Sequence, residues 1–197
     1  GDATVETVIA LETIFNGVIR LTCEAVTFGR TRRRLEVTKQ RGATFLEGRH
    51  DLRIRTGGLE VYPRLEYERK REPVAGRVVE SGVEELDRLT GGGLEAGTAC
   101  LLAGTTGAGK STVAAQYADT AAARGERSAI YCFDERRETF LARADGLGMD
   151  LRRHVAEGRV ELNEMAVGEM APGMFVDQVR RAVEERVKEF MIALLVL

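Results

Sequence analysis

The chain has 197 residues, 44% apolar and 30% charged, a balance that reads as one or two soluble, globular domains. Its net charge of −2 gives no general pull toward nucleic acid or an anionic membrane, and no apolar run approaches the ~18 residues of a membrane span. Three cysteines (Cys23, Cys100 and Cys132), far apart and without C-x-x-C spacing, predict a reduced, cytoplasmic protein rather than a disulfide framework.

Residues 1–62 read as a helix followed by antiparallel β-structure. Val5, Val8, Ile9 and Ile14 recur at helical spacing over 3–15. Residues 18–23 and 33–39 alternate as strands do, and 51–55 and 59–62 flank Thr56-Gly57-Gly58 as the arms of a hairpin. This small α+β segment is too thin to make a domain alone. Residues 63–77 read as a charged linker, with Arg64, Glu66, Glu68, Arg69, Lys70, Arg71 and Glu72 lacking apolar periodicity. Interleaved glutamates weaken any phosphate-attracting field there.

From residue 78 to 197 helices and strands alternate, which calls for a mostly parallel sheet flanked by helices. Ser81 to Glu84 reads as a capping box opening a helix to Leu89, and Gly91 to Gly93 as a turn. The apolar run 98–103 predicts a buried strand, 111–124 an Ala-rich helix closed by Gly125, and 127–133 a second buried strand. A helix is expected over 135–144, a short strand over 159–162, an amphipathic helix over 175–188 and a last strand over 190–197. Cys100 and Cys132 fall in strand-like runs and read as core. His50 and His154, without partners at metal-ligand spacing, read as surface or loop residues. The chain opens on Gly1 and ends at Leu197 within an apolar run, so a piece of a longer protein is expected.

Between the predicted strand 98–103 and the predicted helix 111–124 lies Gly104, Thr105, Thr106, Gly107, Ala108, Gly109, Lys110 and Ser111, followed by Thr112. The first eight fit the phosphate-binding P-loop, G-x-x-x-x-G-K-[ST]. Its glycines let successive backbone N–H groups converge on one anion. Lys110 then reaches the β- and γ-phosphates of ATP, Ser111 offers a hydroxyl to Mg²⁺, and the helix aims its positive end at the same charge. Asp134 and Glu135 follow the strand 127–133, at the ligand side of an open α/β sheet. From spacing alone either carboxylate can serve as a base that orients water, or Asp134 can simply cap the next helix. The Mg²⁺-binding aspartate usual at the end of another strand is missing from 190–197: either it lies just beyond Leu197 or this tail is aberrant.

Taken together, these pieces resemble the KaiC-like ATPases of the RecA superfamily, a group related to RadA-type proteins, over nearly the whole chain. Residues 81–94 look like the family's SGIxxLDxLLGGGL entry motif, 104–111 match its P-loop, and Phe133-Asp134-Glu135 look like its F-E-E pair. The resemblance implies Glu135 as catalytic base, with Asp134 in place of the first glutamate. Lys39-Gln40-Arg41-Gly42 resembles the family's K-x-R-G segment, which implies that Lys39 and Arg41 contact the nucleotide of a neighbouring subunit. Phe45 stands where a His is common, and Leu147 where some members carry an aromatic against adenine. The resemblance further implies the end of one KaiC-type domain (1–62) joined to the first part of a RecA-like P-loop ATPase domain (78–197), hence an incomplete domain. ATP and Mg²⁺ are implied, as are a hexameric homo-oligomer and a signalling partner; serine/threonine autokinase activity is a further implication. The alternatives are a DNA-repair ATPase of the RadA or RecA kind that assembles on DNA, and a nucleotide-dependent scaffold without turnover.

Overall fold

Apolar–polar alternation at a period of two builds the antiparallel sheet of four strands, and a continuous buried run forms the central strand of the parallel sheet. The computed structural model describes residues 14–25, 31–64, 76–133, 135–166, 168, 170–185 and 193–196. They belong to two units, Gly1–Glu68 with Gly168–Gln178, and Arg69–Val167 with Val179–Leu197.

The first unit holds strands β1 (Gly17–Glu24), β2 (Arg32–Gln40), β3 (Arg49–Arg55) and β4 (Gly58–Tyr62), antiparallel in that order. The β3–β4 pairing runs from Asp51 opposite Tyr62 to Arg55 opposite Gly58, closing the hairpin at Thr56 and Gly57. The register sorts side chains by face. Ile19, Leu21, Ile54, Leu59 and Val61 lie on one face and are exposed. The other carries ion pairs: Arg32 Nε to Asp51 Oδ1 at 2.7 Å, Arg34 to Glu24 at 3.0 Å and Arg49 to Glu36 at 3.6 Å. His50, on the same face as Leu21 and Ile54, is buried, contrary to a surface reading. Its Nδ1 accepts the Arg64 N–H at 2.9 Å and its Nε2 lies 3.2 Å from the Leu46 carbonyl, so the ring pins the loop beside β3. Apart from Ile14 and Phe15, both exposed, the predicted helix 3–15 lies outside the described residues, as does 65–75 of the predicted linker.

The second unit begins with a two-stranded ribbon, β5 (Val78–Val79) against β6 (Leu94–Glu95), enclosing helix α1 (Glu84–Leu89). No capping box forms, because α1 starts after Val83 rather than at Ser81. Instead Asp87 reaches back to accept the Ser81 N–H at 2.7 Å, and the Ser81 hydroxyl bonds Val83. The Ser81 carbonyl then accepts from Thr120 at 2.7 Å and Gln116 at 3.2 Å, which ties this turn to helix α2 (Lys110–Ala123). Gly82 permits that approach: its φ is +78°, and a Cβ would meet Thr120 Oγ1 at 2.6 Å.

Helix α3 (Arg137–Gly146), helix α4 (Leu151–Ala156) and a parallel sheet in the order β8 (Val160–Glu164), β7 (Ser128–Cys132), β9 (Ala193–Val196) complete the unit, together with the second half of helix α5 (Pro172–Glu185). Ala115, Ala118 and Ala122 of α2 pack with Ile130, Phe140, Leu141, Leu151 and Leu162 into one core. Small alanines let the helix lie close upon the sheet.

Residues 98–103 depart from expectation. They form no strand, Cys100 is exposed and Leu101 is 81% exposed. Apolar sequence marks a segment suited to a sheet interior, but the described strands form no ladder with it. Cys132 is buried as expected, while His154, read as a bland loop residue, is 1% exposed and lies between Asp119 and Glu157. Helix α4 was not anticipated; six residues carry too few turns for a periodic signal.

Candidate functional site

The loop ahead of α2 turns on two left-handed glycines, Gly107 at φ +83° and Gly109 at φ +89°. The Ala108 N–H donates to the Thr105 carbonyl at 3.2 Å, tightening the curl. Helix α2 starts at Lys110, immediately after Gly109, with no side-chain cap and no acidic residue in its first turn. Its positive end is therefore left uncompensated by the protein itself. Lys110 folds back over the loop, its Nζ donating to the Gly104 carbonyl at 2.8 Å and the Thr105 carbonyl at 3.1 Å. A phosphate entering the loop would compete with those two carbonyls for the ammonium, and offers it a full negative charge.

Next to this loop a cavity of about 370 Å³ opens, a size suited to a small-molecule ligand. Thr106, Gly107, Gly109, Lys110, Ser111 and Thr112 line one part of it. Cys132, Phe133 and Glu135, from the carboxyl end of β7 and the segment after it, line the rest together with Arg143 of α3. The predicted P-loop and the predicted base are thus brought into one cavity. Gly104 and Thr105 contribute their carbonyls to Lys110, and Ala108 packs against Gly104, where a Cβ would lie 3.1 Å from it. Asp134 lies outside the described residues.

Glu135 is held by a fork. Arg143 Nη1 and Nη2 donate to its Oε1 and Oε2 at 2.6 and 2.8 Å. The start of α3 is fixed separately, by the Arg137 N–H on Glu164 at 3.2 Å and the Arg137 guanidinium on the Leu162 carbonyl at 3.1 Å. Cys132 lines the cavity and is buried; burial first, then the negative charge of Glu135, pushes its thiol up to about 11. Among the described residues no cluster of three or more His, Cys, Asp or Glu could hold a metal by itself.

Lys39 is the last but one paired residue of β2, opposite Val18, and Arg41 follows the end of the strand with its N–H on the Asn16 carbonyl at 2.8 Å. Both belong to the first unit. Phe45 is half-buried in that unit, and Leu147 follows α3 with its side chain 55% exposed. Sequence reasoning missed Arg143, Cys132 and Phe133 as cavity residues. Cys132 and Phe133 were readable as the last positions of a strand whose carboxyl end bears the ligand.

A glycine-turned loop feeding a helix, with an acid at the end of a neighbouring parallel strand, defines a P-loop nucleotide-binding protein of the α/β class. Residues 79–196 match the family described as ATPase: KaiC. The chain belongs to that family. It is similar to the circadian clock oscillator protein KaiC of Picosynechococcus sp., 30% identical over 133 residues, covering 68% of this chain and 26% of that protein. The circadian clock protein KaiC3 of Synechocystis sp. is 32% identical over 134 residues, 66% of this chain and 26% of its own length. KaiC of Synechococcus elongatus is 33% identical over 121 residues, 61% and 23% respectively. The chain thus matches about a quarter of the length of these curated relatives. Membership implies a RecA-like α/β fold and an ATPase module. None of the described helices is long and apolar enough to cross a membrane.

Proposed function

We propose that this chain binds Mg-ATP on residues 104–112 and hydrolyses it with Glu135 as the base. The observation that carries this reading is the shared cavity, in which Lys110, Ser111 and Thr112 face the same space as Glu135. The loop N–H groups and the positive end of α2 bind the polyphosphate. Lys110 transfers its donors from its own loop carbonyls to the phosphate oxygens and stabilises charge as the γ-phosphoryl group leaves. Glu135 orients a water molecule for in-line attack and accepts its proton. Asp134 shares in that role as its neighbour in the F-D-E sequence.

The donors present fit Mg²⁺. Ser111 brings a hydroxyl to the cavity beside Lys110, a hard oxygen donor of the kind Mg²⁺ takes alongside waters and phosphate oxygens. When bound, Mg²⁺ neutralises phosphate charge.

By its resemblance to the KaiC-like ATPases, the chain works in a cytoplasmic homo-oligomeric, hexameric ring of signalling or regulatory character. Lys39 and Arg41 reach a neighbouring subunit's nucleotide. The segment 1–62 is the end of one ATPase domain, 63–77 a linker, and 78–197 the front part of the next.

Titration of the full-length protein with a fluorescent ATP analogue tests the site. Lys110→Ala is expected to weaken binding on the order of 10-fold or more, since it removes a charge-assisted contact. Equal affinity in variant and wild type refutes the phosphate role of the loop. Glu135→Gln should keep affinity and lower phosphate release by about 10²–10⁴-fold. Unchanged release refutes the base.

A further inference from the structure

We infer that Arg143 is a positioning residue that fixes the Glu135 carboxylate for its work as base. This rests on the reading of Glu135 given above and adds a residue to it. A glutamate just past a strand end has several freely rotating side-chain bonds, so it needs support to hold one orientation. Both of its oxygens are gripped by one planar guanidinium, at 2.6 and 2.8 Å. Such a fork fixes the plane of the carboxylate as well as its place. Two of about four acceptor positions on the carboxylate stay open for water.

The fork is itself anchored. The guanidinium carbon of Arg143 lies 5.4 Å from the centroid of the Phe140 ring, within cation–π range. Phe140 is 1% exposed and belongs to the core formed with Ile130, Leu141 and Leu162. Arg143 lies one helical turn on from it in α3. A continuous set of contacts therefore runs from the core through Phe140 and Arg143 to Glu135. Arg143 also lines the cavity. Both tips of its guanidinium are engaged with Glu135, so it acts on the reaction through that carboxylate and leaves phosphate binding to Lys110 and the loop.

The test is a double-mutant cycle in the full-length protein, with fluorescent-nucleotide affinity and steady-state phosphate release measured for each variant. Arg143→Ala should hold affinity within about 2-fold and lower kcat about 10–100-fold, the scale of a misplaced reacting group. Arg143→Lys should recover part of that loss, because an ammonium keeps the charge and one contact but not the fork. In a Glu135→Gln background, Arg143→Ala should change kcat less than about 2-fold, since the group it positions is gone. Wild-type or faster turnover in Arg143→Ala overturns the proposal. So does an equal loss in both backgrounds, or a loss of affinity at unchanged kcat, which would make Arg143 a phosphate ligand. If Arg143→Ala does not fold, Arg143→Lys decides: wild-type kcat in that variant refutes the need for a fork. Undiminished turnover in Glu135→Gln alone would overturn the base reading and this proposal together. Loss there with none in Arg143→Ala would overturn only the proposal.

Discussion

Strand β7 of the parallel sheet is buried at all five positions, whereas strand β4 of the antiparallel sheet is exposed at four of its five. The first can hold a reacting group steady because its flanks are dry and packed; the cavity opens at its carboxyl end. The antiparallel sheet is tied along one face by charge pairs between neighbouring strands, while Ile19, Leu21, Ile54, Leu59 and Val61 on the other face are exposed. One unit thus draws its order from apolar packing and the other depends more heavily on electrostatics, and the two should fail under different insults.

The largest expected effect is on packing. Phe140→Ala removes a fully buried aromatic from the core of the second unit and should cost about 3–5 kcal/mol in urea denaturation. A cost below about 1 kcal/mol would show that the core is loose at this point, and that the packed support beneath Arg143 is not there.

Next comes thiol reactivity, which sharpens the contrast between the two parts of the second unit that sequence alone treated alike. Cys132 is buried and its thiol is pushed up to about 11, so its thiolate should be about 100-fold scarcer near neutral pH than that of an ordinary cysteine. With iodoacetamide at pH 7.5, mass spectrometry should find Cys23 and Cys100 labelled, and Cys132 labelled only after unfolding. Labelling of Cys132 as fast as Cys100 would contradict the burial of Cys132. Protection of Cys100 would mean that 98–103 packs as its apolar sequence suggested.

The features legible in sequence were those that local chemistry specifies. Gly107 and Gly109 occupy left-handed positions that other residues rarely adopt, so the loop is written in glycines. The hairpin at Thr56-Gly57-Gly58 and the alternation of β1 to β4 are likewise local. What escaped depends on residues distant in sequence meeting in space. Arg143 reaches Glu135 only because the chain turns between β7 and α3, and eight residues of separation match no periodic rule. Ser81 is satisfied by Thr120 and Gln116, more than thirty residues on, which no capping pattern could announce. The burial of His154 against α2 and the missing ladder at 98–103 are also questions of tertiary neighbours. Apolar composition measures what a segment would gain from cover, and says nothing of which strand supplies it.

The smallest effect concerns the electrostatic unit and its dependence on acid. Asp51 is 5% exposed and receives Arg32 through two hydrogen bonds, at 2.7 and 3.0 Å. Burial works to raise its carboxyl, but the Arg32 fork, the Gly173 N–H and the charges of Arg32 and Arg34 outweigh it and hold the group below the ordinary carboxylate range. Because the folded value lies below the unfolded one, ionised Asp51 stabilises the fold at any pH above the usual value of about 4. That contribution drains away as pH falls from there through the folded value. Asp51→Asn should therefore cost about 1–3 kcal/mol at pH 7, the scale of breaking a hydrogen-bonded pair and leaving Arg32 without its partner. Arg32 is 26% exposed, so solvent screening keeps the cost toward the lower end. Thermal unfolding of both proteins as a function of pH should show the gap starting to close below about pH 4 and closed only once pH has fallen through the lowered folded value, where the wild-type carboxyl is itself protonated. A gap of equal size at pH 7 and in strong acid would place the loss in shape or hydrogen bonding rather than charge. The antiparallel sheet would then owe its order to the same packing that holds β7.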